Sequence, residues 1–206
     1  MIYLFSGTPG SGKSLHTAEI ISNTLRSGKP IIGNFEIDKK AIEKKKGTYT
    51  YMPNWELTPD KLITFASEFW QGKKVKEEYI TLIIDECQLI FNAREWNAKG
   101  RNEWLAFYTQ HRKFGFRIIL VAQFDRMIDR QIRSLIEYEY IHRKVGNYGS
   151  MGKFLSLFAF GKLFVCVKMW YPMRERVGSE FFMAKKKYYS LYDTYNTFAS
   201  DEQIGD

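Results

Sequence analysis

Short apolar runs alternate with amphipathic stretches along the first two thirds of the chain. IYLFS, residues 2–6, reads as a strand. SLHTAEIISNTLRSG follows at helical spacing and is ended by Gly28, the residue type that closes helices in a left-handed turn. PIIGNF, 30–35, predicts a second strand, and IDKKAIEKKKGT a charged connection whose lysines form a solvated loop or helix face. In TPDKLITFASEFW, Thr58 caps a helix and Pro59 takes its first position. YITLIIDE, 79–86, predicts a buried strand ending in two acids. NEWLAFYTQHRKFG predicts an amphipathic helix stopped by Gly115, and FRIILVAQ, 116–123, another buried strand. Strands apolar throughout, separated by helices, predict an α/β fold: a mostly parallel central sheet flanked by helices on both faces. Beyond residue 135 the pattern changes. IEYEYIHRKV alternates and LFVCVKMWY is apolar with scattered charge, which suits the sheet's far edge or a small antiparallel addition. There is no internal repeat, so 1–206 reads as a single domain with 136–206 as its edge strands and C-terminal extension.

Composition narrows this picture at three points. Aromatics make up 17% of the chain, too many for a disordered one. The net charge of +8, concentrated in the second half, fits nucleic acid, an anionic membrane face or nucleotide phosphates as partners, or solubility alone. Cys87 and Cys166 sit in apolar surroundings and read as buried free thiols, and no Cys/His cluster has metal-ligand spacing, so zinc is not expected. His111 reads as structural or surface. The first residues lack the basic and long apolar regions of a signal peptide. The most apolar stretch, FLSLFAFGKLFVCVKMWYP, is broken by Lys162 and Lys168, short of the ~18 uncharged residues of a membrane span. These readings predict a soluble cytoplasmic domain.

The chemistry concentrates in GTPGSGKS, residues 7–14, which matches G-x-x-x-x-G-K-[ST] with a strand before it and a helix after it. Glycines let the backbone bring its N–H groups to phosphate oxygens. Lys13 reaches the β- and γ-phosphates, the Ser14 hydroxyl binds Mg²⁺, and the helix presents the positive end of its dipole. The nucleotide-binding set is therefore Gly7, Thr8, Pro9, Gly10, Ser11, Gly12, Lys13, Ser14 and Leu15. Such a loop needs a carboxylate on a neighbouring strand, and ITLIIDE supplies Asp85 at a strand's C-terminal end, where ligands bind in these sheets. Asp85 would hold Mg²⁺, and Glu86, one residue on, is placed to polarise an attacking water as general base. Gln123 ends the strand expected beside that of Asp85 and can orient the water or sense the γ-phosphate. Phosphoryl transfer also gains from a cation at the transition state, often supplied in trans. The candidates are Arg112, Arg130 and Arg133.

GTPGSGKS, LIIDE, QHRKFGFRIILVAQ, IDRQIRSLIE and the late YYSLYDTY together resemble the cytoplasmic ATPase domain of the zonula occludens toxin (Zot)-like, filamentous-phage assembly proteins of the gene I product type. The resemblance runs from Met1 to about Tyr195. The same block is similar to the FtsK/HerA class of DNA-pumping ATPases, which implies a P-loop NTPase fold of the ASCE type. It implies ATP and Mg²⁺ as cofactors, with Lys13, Ser14, Asp85, Glu86 and Gln123 in the roles above, and a ring-like homo-oligomer in which a trans arginine can act. It implies a role at the host inner membrane in assembling and extruding single-stranded DNA phage, with phage assembly or capsid proteins as partners. Any contact with single-stranded DNA would be through phosphates and blind to sequence. Typical members continue into a transmembrane helix and a periplasmic domain, so the resemblance places membrane anchoring, and any toxin activity, outside these residues. Three other functions fit less of the pattern: a DNA-packaging or translocating ATPase with no extrusion role, a small-molecule kinase, and a nucleotide-gated scaffold that turns over slowly. A kinase excludes water, which Glu86 would activate, and an intact Asp85–Glu86 pair weighs against the scaffold.

Overall fold

The computed structural model describes residues 1–38, 40, 46–94, 100–147, 162–189 and 191. Eight strands form one sheet: β1 (Ile2–Ser6), β2 (Ile31–Gly33), β3 (Tyr49–Tyr51), β4 (Ile80–Ile84), β5 (Phe116–Val121), β6 (Tyr138–Lys144), β7 (Leu163–Trp170) and β8 (Glu175–Met183). Their spatial order is β3-β2-β4-β5-β1-β6-β7-β8. The strands from β3 to β6 are all parallel, whereas β7 and β8 run antiparallel. Both readings of the region beyond residue 135 are thus realised: β6 extends the parallel sheet, and β7–β8 is an antiparallel hairpin at its edge.

The helices are α1 (Lys13–Arg26), α2 (Pro59–Trp70), α3 (Arg101–Gln110), α4 (Arg130–Ser134) and α5 (Lys186–Tyr189). The central strands are apolar at every position because both faces are covered. Leu4, Leu82, Ile84, Ile118 and Leu120 face one core with Leu62 and Trp70 of α2 and Trp104, Phe107 and Tyr108 of α3. Phe5, Ile83, Ile119 and Val121 face the other with Ala18, Ile21 and Leu25 of α1. Each of the Leu, Ile, Val and Phe side chains among them contributes about 1.5–3 kcal/mol by leaving water. Thr58 caps α2 by accepting from the Lys61 N–H, with Pro59 next to it. Gly115 stops the α3 segment at φ 79°.

Four elements carry no clear pattern in the sequence: β3, α4, the four-residue α5 and β8. β3 and α4 are three and five residues long, too short for a period to show. β8 is the outer edge of the sheet and alternates poorly, leaving Val177, Phe181 and Met183 exposed. Most of the lysine run in 37–48 and all but Leu191 of the closing LYDTY lie outside the described residues. Among the described residues no helix is long and apolar enough to cross a membrane, and the described end of the most apolar stretch is strand β7.

Candidate nucleotide-binding site

The sheet's C-terminal edge gathers the P-loop, Asp85, Glu86 and Gln123. β1 ends at Ser6, the loop turns through Gly7 to Gly12, and α1 begins at Lys13. Gly7 and Gly12 hold φ of 142° and 99°, backbone shapes that L side chains rarely adopt. They are also closely approached from behind. A Cβ on Gly7 would stand 2.6 Å from the His142 carbonyl oxygen of β6, and one on Gly12 would stand 2.7 Å from the Phe164 ring of β7. The loop is pinned to β5 as well, since the Gly7 N–H donates to the Gln123 carbonyl at 3.1 Å.

The loop fits a phosphate chain. The N-terminus of α1 has no side-chain cap and no acid in its first turn, so its positive end meets no protein anion. The Ser11 hydroxyl is buried without a hydrogen-bond partner among the described residues. The Lys13 ammonium lies across the loop, donating to the carbonyls of Gly7 at 2.6 Å and Thr8 at 3.3 Å. Burial lowers the Lys13 pKa against the pull of Glu86 and Asp85, so its charge is short of compensation. Thr8, Pro9 and Gly10 are exposed at the loop's crest. The Leu15 side chain is in the core, leaving its backbone as the part that can face a ligand.

Asp85 and Glu86 follow β4, two strands from the loop. β5 lies between them and pairs with both, so Gln123 sits between the P-loop and the acids as its position predicts. The Asp85 carboxyl is pushed up to about 7, by burial first and the Glu86 charge second. A hard oxygen donor, half-buried beside a like charge, suits a small divalent cation, which would offset both effects. Ser14 and Asp85 are the residues that fit Mg²⁺. Glu86 stands in the left-handed region at φ 44°, a conformation costing ~1–3 kcal/mol that is concentrated at functional positions. Its carboxylate accepts from the Gln88 side-chain amide.

Sequence reasoning missed the group that fixes Asp85. Asn34, just past β2, accepts from the Asp85 N–H at 2.7 Å and donates to its carbonyl at 2.8 Å. Its amide also donates to Asn54 at 2.8 Å. The available signal was a polar residue closing an apolar strand next to β4. A second missed group lies on the other side of the loop. Ser6 donates to the buried Glu139 of β6 at 2.6 Å, and Arg174 bridges Glu139 at 2.9 Å and Asp125 at 2.6 Å. Ser6, Glu139 and Asp125 line a cavity of about 480 Å³ together with Gln123.

The arginines are spread out. Arg130 is exposed on α4, and Arg133 donates to the Asp125 carbonyl at 3.4 Å. Arg112 precedes β5 and pairs with Glu137 at the start of β6 at 2.7 Å, so it lies at the end of the sheet opposite its own P-loop. His111 is buried, its Nδ1 2.6 Å from the Tyr108 carbonyl, a structural place as expected.

The model of the family described as zonular occludens toxin (Zot) matches residues 1–198. The chain belongs to the Zot family. It is 26% identical over 216 aligned positions to the Gene 1 protein of Enterobacteria phage M13, covering 99% of this chain and 62% of that protein. It is equally identical to the Gene 1 protein of Salmonella phage IKe, covering 98% of this chain and 59% of the relative. The chain thus spans about three fifths of the length of these curated relatives. Among solved structures, the N-terminal domain of zonular occludens toxin from Neisseria meningitidis superposes with a TM-score of 0.58 at 20% identity, covering 93% of this chain and 98% of that one. The genome packaging NTPase B204 from Sulfolobus turreted icosahedral virus 2, in complex with ATP-gammaS, reaches 0.51 at 15% identity over 89% and 96%. ATPases 2 and 3 of EssC from Geobacillus thermodenitrificans reach 0.50 at 13% identity over 89% of this chain and 40% of that one. The Zot-family chain has the fold of P-loop ATPases.

Proposed function

We propose that this Zot-family domain hydrolyses ATP to power assembly and extrusion of filamentous phage at the inner face of the host's cytoplasmic membrane. The observation that carries this reading is Glu86, held in a strained backbone shape directly after the half-buried Asp85, one strand across from Gln123 and two from the P-loop. The loop N–H groups and Lys13 bind and orient the β- and γ-phosphates. Glu86 polarises the attacking water, and Gln123 orients it or senses the γ-phosphate. Mg²⁺ on Ser14 and Asp85 would neutralise charge developing on the phosphoryl oxygens. A neighbouring subunit of a ring homo-oligomer supplies the cation at the transition state from Arg112, Arg130 or Arg133. Phage assembly or capsid proteins are the expected partners, and DNA contact would be by phosphates. Membrane attachment would lie in a part of the protein outside these residues.

The test is phosphate release from ATP over a protein concentration series, with and without single-stranded DNA. Specific activity that climbs with concentration supports a site completed between subunits. Stimulation by DNA moves the reading from extrusion of a coated virion toward DNA packaging or translocation. A flat rate no higher than that of Lys13→Ala overturns hydrolysis by this domain.

A further inference from the structure

Behind the P-loop, three residues from three elements meet. His16 of α1, His142 of β6 and Cys166 of β7 bring ring nitrogens and thiol within 4.8 Å of one another. No spacing rule along the chain joins positions 16, 142 and 166, so the sequence shows no such cluster. The group is an inner feature: His142 and Cys166 are buried, and Phe5 and Phe182 lie against His16 at 4.8 and 5.1 Å between centroids. His142 and Cys166 are direct cross-strand partners, and Glu180 of β8 is in turn the partner of Cys166. Direct partners share a face with Cβ atoms ~4.5–5.5 Å apart. His142, Cys166 and Glu180 therefore form one row across three strands, with His16 above it. A surface cavity of about 490 Å³, lined by both His16 and Glu180, leads to the cluster.

We propose that His16, His142 and Cys166 form a structural zinc site that staples α1 to the β6–β8 edge of the sheet, with Glu180, which lies outside the 4.8 Å cluster, turning in from its exposed strand position as the fourth ligand. Imidazole and thiolate donors select zinc over the hard cations suited to Asp85. One donor is already oriented. The His142 Nδ1 lies 3.2 Å from the Ser6 carbonyl, which can only accept, so Nδ1 carries the proton and Nε2 presents its lone pair. That Nε2 is 2.8 Å from the His16 Nδ1, which must therefore donate to it. An imidazole whose Nε2 accepts while its Nδ1 donates is neutral, as ligation requires of His142. On loading, zinc replaces the shared proton. The His16 proton moves from Nδ1 to Nε2, and the Cys166 thiol gives one proton to solvent. Two nitrogens on a tetrahedral zinc stand ~3.3 Å apart, so the pair opens by about half an ångström.

The inference is independent of the ATPase reading. The test is to strip the whole chain with a chelator, reload it with Zn²⁺ or Co²⁺, and desalt. The expected result is one metal per chain, one proton released per zinc in weak buffer, and a thiolate-to-cobalt charge-transfer absorption in the near ultraviolet. Cys166→Ser should remove that absorption, and Glu180→Gln, on an exposed strand position, should weaken zinc binding at least ~10-fold. Cobalt held without the thiolate absorption would be metal on the Asp85–Glu86 carboxylates and overturns the site. So does absence of retained metal, or an absorption that survives Cys166→Ser. Unchanged zinc affinity in Glu180→Gln overturns the fourth ligand.

Discussion

Asp85 and Glu139 are two acids at the same edge of the sheet, on either side of the P-loop strand, and they are stabilised in opposite ways. Glu139 is buried, and burial raises its pKa, but the Ser6 hydroxyl and the Arg174 guanidinium both hold its carboxylate. Asp85 has a hydrogen bond from the Glu86 N–H and no side-chain cation bonded to it among the described residues, and a second carboxylate beside it. One charge is matched inside the protein. The other is left to be matched by something that arrives. An acid drawn partly or wholly out of water marks a site when its partner is missing from the fold, and marks architecture when its partner is built in.

The largest break in this comparison should come from Glu86→Gln. Phosphate release should fall ~10²–10⁴-fold with nucleotide affinity kept, measured by single-turnover kinetics beside equilibrium titration. Turnover surviving within tenfold would remove Glu86 as the base. Arg174→Ala should come next, acting on stability and leaving nucleotide affinity alone. It leaves Glu139 buried with one partner, and because Arg174 is half exposed the expected loss is about 1–2 kcal/mol by urea unfolding. A loss of nucleotide binding instead would move Arg174 into the site. A subtler difference should appear against pH in metal-free buffer. The folded Asp85 carboxyl titrates above its unfolded value of 3.8, so between about 4 and about 7 the native state binds the extra proton and stability falls as pH rises. Asp85→Asn should flatten that slope by up to ~1.4 kcal/mol per pH unit, and saturating Mg²⁺ with nucleotide should also reduce it. An unchanged slope would mean that the carboxyl is not the titrating group. Glu139→Gln should do least, shifting stability by under ~1 kcal/mol if the amide oxygen faces Arg174 and the Ser6 hydroxyl turns to accept from the amide N–H, again by urea unfolding.

The sequence made some of this arrangement legible and hid the rest, for reasons that particular residues show. GTPGSGKS and ITLIIDE are local patterns whose chemistry depends on a few neighbouring positions, and the order β4-β5-β1 places their side chains as the strand ends predict. Gln123 was legible for the same reason. Asn34 and Glu139 were not, because their importance is only that β2 lies beside β4 and β6 beside β1. Arg112 looked equivalent to Arg130 and Arg133 until the fold put it at the far end of the sheet. β8 escaped because an edge strand with one exposed face has no apolar run to announce it.

The two glycines of the loop, crowded from behind, should leave different genetic footprints. At Gly12 the obstacle to any side chain is the Phe164 ring, so a damaging substitution there has a place for a compensating second-site change: a smaller residue at 164, which would relieve the clash although not the backbone strain. At Gly7 a Cβ would meet the Ser11 hydroxyl and also a main-chain oxygen, and the second is an obstacle that no substitution can shrink. A selection for restored function from a Gly12→Ala variant should therefore return changes at 164 as well as true reversions, whereas one begun from Gly7→Ala should return only the original glycine.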